Sequence, residues 1–442
     1  MSIRGGALVA TLALLGASPL AYAQMSLPGP GPGTYGAAPP EQGEPQHTSV
    51  LQQPHPAYDP LGIRAGSFLI LPSATLSETY DSNVFATPTG VKSDFYTDVA
   101  PTVSVNSDWN RHALDLSAGG DIKRYATQVS ENYSNANAAA NGRLDILRDI
   151  YLIGGLGYTL SHEDRASPNS TTGQKNPTEF QVGSGGIGYV HEPGRLGFRV
   201  DGTANWYSYS NAQTATGTTV VETDRNRVEY QVRPRVQYEI QPGYHAFVQA
   251  SGNWREYQSA ADQFGFHRNS SGYEVDAGTA VELTDIISGE VFAGYLSQSY
   301  ADARLKPVSG VGFGGSLLWN VTQLTSVRMG VTRTVQETTV TGTGIGGTTQ
   351  DASGDLQTAA TASVEHELLR NVLVTGGVSY TEDAFQGVSR TDDSYGASAE
   401  ARYLINRNLN AGLTFTYTKR DSSQSVNNYD REVVMARLRT QF

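Results

Sequence analysis

The chain has no cysteine among its 442 residues. That excludes disulfide staples, thiolate metal sites, thiol nucleophiles and lipid attachment at an N-terminal cysteine. Charge is also sparse, at 17% of residues, and basic groups are the minority: 31 Lys and Arg against 43 Asp and Glu, a net charge of −12. A general nucleic-acid binder needs an excess of Lys and Arg on one face, so no nucleic-acid partner is expected. Long hydrophobic runs are missing beyond the first residues, which excludes a bundle of membrane-spanning helices. What the chain does have is 48 Gly and 24 Tyr, with abundant Ser, Thr and Asn. That composition suits curved, half-exposed strands joined by polar turns.

The N-terminus reads as an address. Arg4 precedes an apolar stretch from Ala7 to Leu15, and Ala21-Tyr22-Ala23 forms an A-x-A cleavage site before Gln24. Residues 1–23 are therefore expected to be a signal peptide. Residues 24–66, rich in Pro, Gly and Gln, are expected to be an extended or disordered periplasmic linker. The remainder, 67–442, has a single rhythm.

That rhythm is strand, tight turn, strand, long loop. Tight joints fall near Trp109, Leu147, Pro193, Pro242, Thr284, Val321, Leu369 and Asn406. Longer polar joints fall near Asn83–Lys92, Val129–Glu131, Asp164–Lys175, Asn211–Thr223, Ser259–Gly265, Asp302–Arg304, Thr338–Gln350, Gln386–Arg390 and Asp421–Val426. Eight short joints and nine long ones give about eighteen strands, an even number that leaves both ends on the short-turn side. The fold expected is all-β: a transmembrane, antiparallel, up-and-down β-barrel.

Polarity inside the segments agrees. In the last one, Val434, Ala436, Leu438 and Phe442 alternate with Met435, Arg437, Arg439 and Gln441. In Arg227–Ile240, Val228, Tyr230, Val232, Val236, Tyr238 and Ile240 alternate with charged and amide residues. A greasy face toward lipid and a charged face toward a wet interior account for both. Pro101 and Pro234 each cost a ladder bond and are expected at bulges or near a rim. Tyr80, Tyr158, Trp206, Tyr257, Tyr300, Tyr380 and Tyr417 are expected in an interfacial girdle. Tyr207 and Tyr209, facing inward, could stack on a sugar ring.

Function would then sit in the lumen. Its candidate lining comprises Arg199, Asp201, Arg227, Glu229, Arg233, Arg235, Glu274, Asp276, Glu290, Glu400, Arg402, Arg437 and Arg439. Such a lining can hold cross-strand ion pairs and can also set the field for a passing solute. Other motifs fall away. Gly342–Gly347 fits G-x-G-x-x-G but lies in a Gly/Thr loop with no helix behind it. None of the eight His residues belongs to a compact metal set. His162, Glu163 and Asp164 are adjacent on a strand, so they do not all face one way. Asp81, Asp302 and Asp351 match no calcium-loop spacing. No cofactor, metal or catalytic residue is expected, and the chain is not read as an enzyme.

The opening of the barrel carries a further pattern: Phe68 to Pro72, Glu78 to Phe85, Lys92 to Phe95, Ala100-Pro101 and Ser107 to His112, then Gly142 to Asp145 and His162 to Asp164. It resembles the putative β-barrel porin 2 family of Gram-negative outer-membrane proteins. The resemblance implies an outer-membrane barrel associated with export of exopolysaccharide or capsule. It implies as partners outer-membrane lipid and lipopolysaccharide, the barrel-assembly machinery through the last strand, a periplasmic polysaccharide export protein and the polysaccharide itself. The expected function is a passive conduit for that polymer. The alternatives are a general diffusion porin for small solutes, marked by a loop folded into the lumen, and a structural or adhesive surface barrel.

Overall fold

The computed structural model describes residues 48–170, 173–283, 286–343 and 349–442. The expected signal peptide, the linker as far as residue 47, the turn at 284–285 and most of the Gly342–Gly347 motif lie outside the described residues.

Eighteen strands form one closed antiparallel barrel. They are β1 Phe68–Asp81, β2 Asp94–Ser107, β3 Ala113–Tyr125, β4 Tyr133–Leu147, β5 Ile150–His162 and β6 Glu179–His191. Next come β7 Leu196–Tyr209, β8 Arg227–Gln241, β9 Tyr244–Tyr257, β10 Ser270–Leu283, β11 Ile287–Tyr300 and β12 Val308–Thr322. The last six are β13 Thr325–Gln336, β14 Asp355–Leu369, β15 Val372–Phe385, β16 Arg390–Asn406, β17 Leu409–Ser422 and β18 Tyr429–Gln441. Each pairs with the next, and β18 returns to β1 with Ser73 opposite Gln441 and Asp81 opposite Val433. The Phe442 amide donates to the Pro72 carbonyl at 3.1 Å and seals the seam. Closure leaves no free edge, which hydrocarbon would not tolerate.

The period of two decides which way each side chain points. Leu76, Leu156, Val248, Val291, Val311 and Leu413 stand exposed on the outer wall. Their alternate neighbours form an inner wall of Ser, Thr, Asn, Gly and charged groups. A soluble sandwich would bury the apolar set; here it meets lipid. Pro193-Gly194 and Pro242-Gly243 close two of the tight turns, with φ of 130° and 79° at the glycines, a conformation that suits glycine.

Two expectations need correction. Pro101 and Pro234 sit at neither bulges nor rims. Each lies within its strand and interrupts the ladder on one side, between Val99 and Thr102 and between Val232 and Arg235, without shifting register. Pro234 stays in register with Val200 on its other side, so one intact ladder carries the strand past the missing donor. Tyr257 and Tyr300 do not join the outer girdle. They fall on the inward parity of β9 and β11, opposite to exposed Trp254 and Tyr295, and both are half-buried inside the lumen. Tyr80, Tyr158, Trp206, Tyr380 and Tyr417 share the parity of the outer apolar residues, and Tyr80 packs on Phe95 and Tyr380 on Tyr395.

The stretch read as linker changes character at its end. From Thr48 it is held inside the periplasmic mouth, and Ser49 and Val50 are fully buried. The Val50 amide donates to Ser326 Oγ at 2.9 Å, the Leu51 amide to Glu365 at 3.2 Å, and Arg328 donates to Gln52 at 2.9 Å. Further along, Arg407 and Gln441 donate to the carbonyls of Pro56 and Tyr58. The segment thus crosses from the β13–β14 wall to the β17–β18 wall. It needs no apolar core of its own, because inward polar side chains satisfy its backbone.

Candidate functional site

The candidate site is the lumen, and its outer end is a throat built from loops. The key element is the β5–β6 loop, residues 163–178. At its base Glu163 pairs with Arg225 at 2.9 Å and Asp164 with Arg431 at 3.3 Å. Arg165 makes a two-point contact with Glu131, at 2.8 and 2.7 Å. Gln174 donates to Glu222 at 3.0 Å. Asn169 accepts from Thr338 Oγ1 at 2.8 Å and from the Thr339 amide at 3.0 Å. Thr338 and Thr339 belong to the β13–β14 loop, eight strands away in an eighteen-strand ring, almost directly across the mouth. Ala166, whose carbonyl accepts from Arg420 on the inner wall of β17, is buried. The loop therefore lies over the bore rather than beside it.

The β13–β14 loop folds inward as well. Val340 and Ala352 pack on Phe385, an inward residue of β15. Glu337 is held by Arg255 and by the Tyr257 hydroxyl at 2.5 Å, and Asp351 by Arg268 at 2.8 Å. Burial pushes Glu337 toward neutrality, but Arg255 and Arg227 more than offset it and hold its carboxyl below the ordinary 4.5. Burial raises Asp351 and Glu222 instead, with Arg268 and Arg225 offsetting only part of the effect. The signs differ accordingly. Protonating Glu222 or Asp351 favours the packed loops, a contribution present at low pH and lost as pH rises through their folded values. Glu337 contributes above its unfolded value and loses that contribution as pH falls through its depressed one. Acidification through the depressed value of Glu337 is thus expected to loosen the 337–354 loop at its Arg255 anchor. Hydrogen exchange of that loop, with each rate divided by the intrinsic rate at its own pH, would show lower protection factors in acid than at neutral pH; equal protection would contradict the assignment.

A small cavity of about 70 Å³ remains between these loops, bordered by Tyr207, Tyr209, Arg225, Arg227, Arg268 and Glu337. The sugar-stacking role considered for Tyr207 and Tyr209 has no free ring face to support it. Arg227 covers Tyr207 at 4.3 Å, and Arg225 covers Tyr209 at 4.0 Å with Phe180 stacked beside it.

The candidate lining residues all fall on inward parity, in two groups. The first lies on β7–β11. Arg199 pairs with Asp201 at 2.8 Å, Arg227 with Glu229 at 2.7 Å, and Arg235 with Glu290 at 2.9 Å. Arg233 donates to Gln231 at 3.2 Å and Asp276 accepts from Gln249 at 3.1 Å, with Glu274 beside them. The second group lies on β16–β18, where Glu400 receives Arg402 at 3.1 Å and also Arg437, while Arg439 donates to Ser73 at 3.1 Å. The calcium candidates are arginine-bound: Asp81 to Arg431, Asp302 to Arg304 and Asp351 to Arg268. Sequence reading missed Arg225, Arg255, Arg268, Arg420 and Arg431, the arginines that anchor the throat. Their one sequence signal is their position at strand ends beside long loops.

Among solved structures, the chain is similar to OpdK from Pseudomonas aeruginosa, at 10% identity over 84% of this chain and 99% of that one, with a TM-score of 0.42. It is also similar to a BenF-like porin from Pseudomonas fluorescens Pf-5, at 11% identity over 84% and 99%, TM-score 0.43. A third is OccAB3 from Acinetobacter baumannii, at 10% identity over the same shares, TM-score 0.43. No curated protein matches the chain. A family model spans residues 55–442, from the strap in the periplasmic mouth to the sealing strand, and on that match the chain belongs to the family described as "Putative beta-barrel porin 2", an outer-membrane β-barrel.

Proposed function

We propose that the barrel is a passive channel for small polar and charged solutes. The observation that carries this reading is the 163–178 loop, bonded to the opposite side of the mouth through Asn169 and to the inner wall through Arg420. Such a loop leaves a throat suited to single small molecules. A growing chain of sugar rings would have to displace every one of its contacts. The polymer conduit implied by the family resemblance is therefore the weaker reading. Paired charges along the inner wall keep the lumen wet and offer weak, repeated contacts that permit both entry and exit. Nothing in this reading calls for catalysis. On the same reading residues 1–23 are the export signal, residues 24–47 a periplasmic segment ahead of the barrel, and the last strand the contact for the assembly machinery.

Vesicles containing the purified barrel should swell in arabinose and in glycine faster than empty vesicles, and remain inert in a long dextran. Comparable entry of the dextran would favour the polymer conduit. A folded barrel that passes neither class would remove the channel reading.

A further inference from the structure

The inner wall is not evenly charged. On β16–β18 one row across the sheet reads Arg402, Gly412, Arg437, set by the register Arg402 opposite Gly412 and Gly412 opposite Arg437. Gly412 has no side chain to separate the two, and the side chain of Arg437 lies over it. Arg439 stands one inward position further along β18. Three guanidinium groups thus crowd together with one carboxylate, Glu400. Arg402 and Arg437 both reach its Oε1 atom. Arg439 finds only a neutral hydroxyl, Ser73 Oγ. The inward residues facing the cluster from β17 and β1 are Asn410, Thr414, Thr75 and Ser77, none of them acidic.

The bonding capacity of the cluster is unfilled. The buried Nε–H groups of Arg437 and Arg439 have no partner among the described residues. Elsewhere on this wall an arginine usually has a carboxylate to itself, as Arg199 has Asp201 and Arg235 has Glu290. A guanidinium presents donors in a planar fork, and the group that fits such a fork is a carboxylate or phosphate. An excess of two positive charges on a low-dielectric wall also focuses the field into the lumen.

Resting on the channel reading above, we infer that Arg402, Arg437 and Arg439 form a binding station for a small oxyanion. It lies toward the periplasmic end of the lumen, so the favoured solutes are carboxylates or phosphates rather than neutral sugars. The station attracts the anion through uncompensated charge and holds it through the Nη–H groups of Arg437 and Arg439 that Glu400 and Ser73 leave unfilled. Glu400 limits its affinity by occupying two of the three forks, which lets the solute leave.

The full-length barrel in planar bilayers tests this with a potassium chloride gradient and with succinate or inorganic phosphate added to one side. The expected result is a reversal potential showing chloride preferred over potassium, together with millimolar block of the chloride current. R437Q/R439Q should lower the anion preference by about threefold or more as the wall loses two charges. R437K/R439K should keep the preference but weaken block, since an ammonium lacks the fork. E400Q should move both readings the other way, an outcome that misfolding cannot imitate. Block by succinate alone would assign the station to carboxylates, and block by phosphate alone to phosphates. A conducting channel without anion preference, or one in which E400Q strengthens neither reading, would overturn the inference and leave the channel standing. A folded barrel that conducts nothing would instead remove the channel itself.

Discussion

Replacing residues 165–176 with a short Gly-Ser link is expected to raise single-channel conductance by about twofold or more, because a barrel of this strand number encloses an aqueous channel once its mouth is clear. The edit keeps Glu163 and Asp164, so Arg225 and Arg431 retain their partners. It removes the Asn169 bridge to Thr338 and Thr339, the Arg165 pair with Glu131 and the Ala166 cover over Arg420. Each lost neutral bond costs about 1 kcal/mol, a modest part of what a closed eighteen-strand ladder supplies, and a companion Glu131→Gln change avoids leaving that buried carboxylate without Arg165. Barrel integrity can be read from heat-modifiable mobility on gels. A folded variant with unchanged conductance would show that the loop does not obstruct the path. Long dextran entering only the shortened variant would show the throat acting as the size filter.

Arg431→Ala is expected to be the most damaging single substitution described here. Arg431 lies on β18 and holds Asp81 of β1 through Nε at 3.0 Å and Nη2 at 2.5 Å, across the seam that closes the ring. Asp81 is fully buried, and among the described residues its carboxylate takes one other bond, from the Asn83 amide at 3.0 Å. Removing the guanidinium strands a buried carboxylate, which costs about 3–5 kcal/mol. The double variant D81N/R431M removes the buried charge and leaves only the part-exposed Asp164 without its ion pair, so it should recover much of the loss. Urea unfolding in lipid vesicles measures both. A midpoint unmoved by Arg431→Ala would mean that water or lipid headgroups reach Asp81 and that the pair does not hold the seam.

Much of the barrel was legible because period-two alternation and turn chemistry are local. Val434, Ala436 and Leu438 opposing Arg437 and Arg439 declare two faces without knowledge of any other strand. Pro193-Gly194 and Pro242-Gly243 mark turns for equally local reasons. The throat was illegible because its contacts depend on closure. Nothing near Asn169 indicates that Thr338 lies across the ring, since that neighbour is fixed by strand number and tilt. Loop length misled as well. Asn211–Thr223 and Thr338–Gln350, as long as any of the polar joints, carry little charge, while the loop that spans the mouth begins with Glu163, Asp164 and Arg165. Tyr257 and Tyr300 were grouped by nearness to a loop when their parity should have placed them inside. The strap beginning at Thr48 has no apolar period to reveal it, because Ser326, Glu365 and Arg328 supply the bonds that hold it.

Bulges on five strands, at Asp145/Leu147, Glu239/Gln241, Asn320/Thr322, Glu367/Leu369 and Leu404/Asn406, all fall next to the short turns. An extra residue breaks the strict alternation there, so neighbours such as Ile146 and Leu147, or Leu368 and Leu369, both stand outward. The outcome is a greasy collar at the periplasmic rim, built where two successive side chains face the lipid. Such a collar pins the barrel at one leaflet. When the surrounding bilayer thickens or thins, the lipid beside this rim should deform to keep the collar covered.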